Sequence, residues 1–149
     1  MQKMTSRDWR LIRNFSPGEN WGDPYQMDRD LIYLLEVLRG LFCFPFSIHC
    51  GYQIRPKNPK SQHNFGRACD FHIDGMPFLD AVDLMLIFIG QEPRGIGVSE
   101  IIGLGIYPHW RNPGFHVDTR GEKARWGAVM KGGRQVYVSF LEAYRKIEN

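Results

Sequence analysis

Two short stretches carry the residues able to do chemistry: SQHNFGRACDFHIDG, residues Ser61 to Gly75, and GFHVDTRG, residues Gly114 to Gly121. His63 and Asp70 flank a turn built on Gly66. That turn lets the chain fold back, so that a loop imidazole and a strand carboxylate can converge. His116 comes from a distant strand and completes a His, Asp, His set. Three protein ligands with one open position is the usual arrangement of catalytic zinc, which polarises carbonyls and brings the pKa of its water to about 7. The expected metal ligands are therefore His63, Asp70 and His116, holding one Zn2+ per chain.

Strand alternation supports the grouping. In CDFHI, Asp70 and His72 share one face, and Cys69, Phe71 and Ile73 the other. In FHVDT, His116 and Asp118 share a face opposite Phe115 and Val117. The apolar sets point to a core and the polar sets to a cleft. Taken one at a time, each residue has a plainer role: a surface loop histidine, a capping acid, a half-buried sheet histidine, or an Asp118–Arg120 ion pair.

The elements that must hold these residues follow from periodicity. Apolar positions Leu31, Leu34, Leu35 and Leu38 predict a helix over 28–39, leaving at Gly40. A second helix is predicted over 77–89, ending at Gly90. Strands are predicted at 46–49, 69–73 and 115–119, with a short one in the glycine-rich stretch 95–105. The tail from Gln135 begins strand-like and ends helical. Residues 1–25 are polar and broken by Pro17, Gly18, Gly22 and Pro24, with Trp9, Leu11, Ile12 and Phe15 as possible anchors. Helices and strands do not alternate strictly, so the expected class is α+β: a small, largely antiparallel sheet with flanking helices in one domain, 1–149.

Bulk properties bound the rest. The 149 residues carry a net charge of +3, too weak for a nucleic-acid binder but compatible with an anionic cell wall. Three cysteines form neither an even disulfide set nor a CxxC pair, so reduced thiols and synthesis in the cytoplasm are expected. The first residues hold no apolar signal region, and the apolar run near Leu84–Ile89 is too short to span a bilayer. A monomer without membrane partners is expected.

The first stretch resembles the signature SxHxxGxAxD of the zinc D-alanyl-D-alanine carboxypeptidase family, whose relatives include vancomycin-resistance D,D-dipeptidases and phage L-alanyl-D-glutamate endolysins. Ser61, His63, Gly66, Ala68 and Asp70 match in register. His116 to Arg120 match a downstream HVDTR strand, Trp126 a following tryptophan, and Gly51–Tyr52 an upstream Gly-Tyr pair. The similarity spans roughly 15–126. It implies a hedgehog/D,D-peptidase-like fold, the same three zinc ligands, and hydrolysis of peptidoglycan or another D-amino-acid-containing peptide. An endolysin of this kind would reach the wall through a separate pore.

Two departures shape the assignment of roles. Relatives carry an arginine directly after the Gly-Tyr pair; here Gln53 stands there, and Arg55 follows two residues later. Relatives among the dipeptidases and endolysins carry a glutamate base three residues before the last histidine; here that position is Pro113. Asp118 is the first candidate base and His109 the second. Arg55, with Gln53, is expected to hold a substrate carboxylate or the oxyanion. Tyr52 and Trp110 are candidate cleft walls, and Ser61 a candidate partner of a zinc ligand. The alternative expectation is a zinc-containing binding module without turnover.

Overall fold

A computed structural model describes residues 1–148 of the chain. The elements run α1 (Ser6–Leu11), α2 (Arg29–Phe42), β1 (Phe46–Cys50), β2 (Ala68–Ile73), α3 (Phe78–Ile89), β3 (Gly103–Tyr107), β4 (Gly114–Asp118), β5 (Ala124–Lys131), β6 (Arg134–Val138) and α4 (Phe140–Arg145). Six strands form one open sheet in the order β1-β2-β4-β3-β5-β6. Every neighbouring pair is antiparallel except β3 with β5. The class is thus α+β, with four α-helices among the described residues.

The helices form for local reasons. Thr5 and Asp8 build a reciprocal capping box at the start of α1, which is how so short a helix is held. Asp28 caps α2 and presents Leu31, Ile32, Leu35, Leu38 and Phe42 to the core. Gly40 does not end this helix. Phe42 is buried one half-turn further on, and Cys43 closes the helix in the left-handed conformation at φ 60°, its N–H donating to the Arg39 carbonyl. Leu11 anchors nothing: it is 65% exposed, whereas Trp9, Ile12 and Phe15 are buried.

One apolar cluster joins α2, α3, the N-terminal segment and one face of the sheet. Phe46 stacks on Phe71 with centroids 4.8 Å apart, and Phe71 continues to Phe115 at 5.6 Å. Each such ring contributes about 1.5–3 kcal/mol on burial. Cys69, Phe71 and Ile73 face this core as the alternation of β2 requires, and so do Phe115 and Val117 of β4. The opposite face of the sheet is left for polar side chains. No helix among the described residues is long and apolar enough to cross a membrane.

Candidate metal centre and cleft

The site is one rung of the sheet. Asp70 on β2 pairs with His116 on β4, His116 with Gly105 on β3, and Gly105 with Trp126 on β5. His63 is added from a 3-10 turn, Gln62–Phe65, just ahead of β2. The turn closes on Gly66 at φ 69°, where a Cβ would lie 1.9 Å from the Gln26 carbonyl oxygen. Only glycine fits that conformation and that contact. The His63 Nδ1–H donates to the Gly51 carbonyl at 2.6 Å, which fixes the tautomer and turns Nε2 inward.

His63, Asp70 and His116 each offer a ligand atom, all within 4.8 Å of one another. Asp70 Oδ1 lies 2.8 Å from His116 Nδ1 and 3.3 Å from His63 Nε2. The second distance lacks hydrogen-bond alignment, and His63 Nε2 is a buried nitrogen without a hydrogen-bond partner. An orphaned buried nitrogen is costly. Beside a carboxylate and a second imidazole, it is what a metal ligand looks like before the cation is counted. The two-nitrogen, one-oxygen set suits zinc.

Electrostatics agree. Burial alone would push the Asp70 carboxyl up, yet the hydrogen bond from His116 and the nearby His63 imidazole hold it below the usual carboxylate range. Burial pulls the His63 imidazolium down, but the Asp70 carboxylate, Cys50 and the Gly51 carbonyl together raise it to about 9. His116 is also raised, because Asp118 and Asp70 outweigh its desolvation. Without a cation both histidines therefore hold their protons more tightly than a free imidazole does.

The three residues sit on the floor of an open cleft of about 510 Å³. Arg55 lines it, with Nη2 4.0 Å from Asp70 Oδ2. Asn64 positions that loop: its Oδ1 accepts the Arg55 backbone N–H, and its amide donates to the Asn58 and Ser61 carbonyls. Trp110 forms a wall, its ring stacked on Tyr107 at 4.1 Å. Ser61 lines the cleft as well, though its hydroxyl reaches no ligand side chain.

Other expected site residues lie elsewhere. Gln53 is exposed and accepts the Arg55 Nε–H at 3.1 Å, so it braces Arg55 instead of lining the cleft. Tyr52 packs against the core. His109 is exposed on a different surface, where Nδ1 accepts the Met130 backbone N–H at 2.9 Å. Asp118 is fully buried behind His116 and does not reach the cleft. Its Oδ2 accepts from His116 Nε2 at 2.7 Å, and Arg120 grips both oxygens at 2.8 and 2.7 Å. Burial raises the Asp118 carboxyl, but Arg120 and His116 win and hold it ionised.

Small residues make this carboxylate's niche: Ala68 and Gly103 face Asp118 across β2 and β3. A Cβ on Gly103 would stand 2.6 Å from the Asp118 oxygens, and one on Gly105 would stand 2.7 Å from the Trp126 indole. The indole therefore lies flat across β3, 5.0 Å from the His116 ring and 5.1 Å from the Arg120 guanidinium. Neither Tyr107 nor Trp126, the latter matched only as a motif residue, was given a place in the cleft from sequence. The signal that could have found them is GLGIY, an alternation of glycine and apolar residues in which every second position is open for a neighbour's side chain.

Compared with protein-family models, curated proteins and solved structures, the chain matches none. The site therefore stands on its own geometry.

Proposed function

We propose that the chain is a zinc-dependent peptidase that hydrolyses stem-peptide bonds of peptidoglycan, as the family resembled by its two motifs does. The observation that carries this reading is the convergence of His63, Asp70 and His116, with the unpartnered His63 Nε2, on the floor of a cleft. His63, Asp70 and His116 would hold the zinc, which when bound would supply Lewis acidity toward a scissile carbonyl and a water near neutral pH. Arg55 supports the substrate class, since stem peptides carry free carboxylates that a guanidinium binds well. Trp110, Tyr107 and Tyr137 flank the same floor and can hold an extended peptide against it while excluding water. Asp118 orients His116 and strengthens it as a ligand.

One observation favours a second reading, a zinc-containing wall-binding module without turnover. Among the described residues, Asp70 is the only carboxylate lining the cleft, and it is itself an intended ligand. Pro113 stands where relatives carry a glutamate, and Asp118 and His109 do not reach in. The two readings separate on one experiment. Zinc-loaded protein is incubated with purified peptidoglycan and with synthetic stem peptides, and products are read by mass spectrometry. A defined new cleavage supports the peptidase. Sedimentation with the wall and no product selects the module, and absence of both overturns the two.

A further inference from the structure

The cleft holds a buried donor that nothing so far uses. Tyr107 is buried, 6% exposed, yet it lines the cleft. Its hydroxyl oxygen accepts the Trp126 indole N–H at 3.0 Å. Its own O–H has no acceptor among the described residues, and the cleft is the open side. A phenol is both donor and acceptor, so an oxygen anchored by an indole has its proton left for a ligand.

The ring is equally fixed. Tyr107 stacks on Trp110 at an interplanar angle of 16°. Trp126 is seated in the gap over Gly105, next to His116 in the same rung. The direction of the hydroxyl is thus set by packing before any ligand arrives, the preorganisation that electrostatic stabilisation needs. Arg55, meanwhile, lines the same cleft, braced by Gln53 through Nε, and its part-exposed guanidinium can take a substrate carboxylate.

Resting on the peptidase reading, we propose that Tyr107 is a catalytic residue whose O–H donates a hydrogen bond to the oxyanion formed at the scissile carbonyl. This divides the work that relatives give to the arginine after the Gly-Tyr pair: Arg55 holds the substrate carboxylate and Tyr107 steadies the developing charge. Burial, aided by the nearby Asp70 charge, raises the phenol above the ordinary tyrosine range, so the donor keeps its proton at every working pH.

The test is Tyr107→Phe, which keeps the stacked ring and removes one oxygen. Zinc content is expected unchanged. The kcat on a stem peptide should fall about 100-fold with little change in KM, as for loss of an oxyanion donor. A second readout needs no turnover: calorimetric affinity for a D-alanyl-D-alanine phosphinate, whose tetrahedral oxygens mimic the transition state. That affinity should fall by a similar factor, while affinity for N-acetyl-D-alanine, which offers only a carboxylate, stays level. Unchanged kcat and phosphinate affinity would overturn the assignment. If the wild-type protein binds phosphinate but cleaves nothing, the peptidase reading fails and the affinity comparison alone decides the role of Tyr107. A wild-type protein that neither binds nor cleaves overturns both. Should Tyr107→Phe fail to fold, Trp126→Phe frees the hydroxyl from its anchor; it should weaken phosphinate binding, and unaltered affinity counts against the proposal.

Discussion

Asp118 reaches back along its own strand to His116, with Oδ2 2.7 Å from Nε2, while His116 Nδ1 faces Asp70 from the other side of the ring. One imidazole thus has one nitrogen for a metal and the other for a carboxylate. That division favours orientation over proton abstraction for Asp118, and it is testable. Asp118→Asn should lower zinc affinity about 10- to 100-fold, the usual effect of removing such a partner. Turnover per bound zinc should stay near wild type. Zinc content and peptide hydrolysis measured on the same preparation decide it; full zinc with collapsed turnover would restore Asp118 as the base.

Arg120 is the other half of that arrangement. Losing it leaves Asp118 buried with a single partner, and breaking a buried ion pair from one side costs about 3–5 kcal/mol. His116 still compensates part of the charge, so Arg120→Met should destabilise by somewhat less, about 2–3 kcal/mol by urea unfolding. A loss under 0.5 kcal/mol would mean the pair is no more than a surface contact.

The protonated histidines give a pH dependence of known sign. His63 lies at about 9 in the folded, metal-free chain against 6.5 unfolded, and His116 is raised too. Raised values stabilise the metal-free fold fully below about pH 6.5, and that stability is lost as pH climbs through 9. A cation must displace the same protons, so zinc affinity rises across the same window. Thermal unfolding at pH 6.5 and 9.5, with and without zinc, should show the metal-free midpoint falling and the zinc-induced gain growing. A zinc-induced gain independent of pH would contradict the ligand protonation described above.

Much of this was legible in the sequence, and the limits have physical causes. Ser61 to Asp70 is local: a turn, a glycine and a strand fix the relation of His63 to Asp70, so the spacing and the family resemblance together pointed to the pair. The faces of β2 and β4 followed from alternation. The burial of Asp118 was not legible because its surroundings are non-local; Ala68 and Gly103 dig its niche from other strands, and sequence gives no register between them. Strand β5 went unseen because ARWGAVMK has no clean alternation. It pairs in parallel with β3 on one side, and α4 lies over Gly127, where a Cβ would meet Ala143 at 2.1 Å. The exposed Leu11 and the extra half-turn past Gly40 show tertiary packing overriding local signals.

The glycine face of β3 supplies a further check. Gly105→Ala puts a methyl carbon 2.7 Å from the Trp126 ring. The indole must move off His116 and Tyr107, an overpacking that costs about 1–3 kcal/mol. The variant should unfold at lower urea, and turnover should drop with zinc retained. Wild-type stability and rate in Gly105→Ala would show that the seat of Trp126 is not needed.

If one zinc held by His63, Asp70 and His116 drives hydrolysis, turnover must follow its loading. Metal-free protein is loaded with increasing zinc, and amino groups released from purified peptidoglycan are counted at each step. The expected result is no release at zero zinc, a linear rise, and a plateau at one equivalent per chain, with His63→Ala flat throughout. No release at any loading, or equal release from His63→Ala, would contradict it.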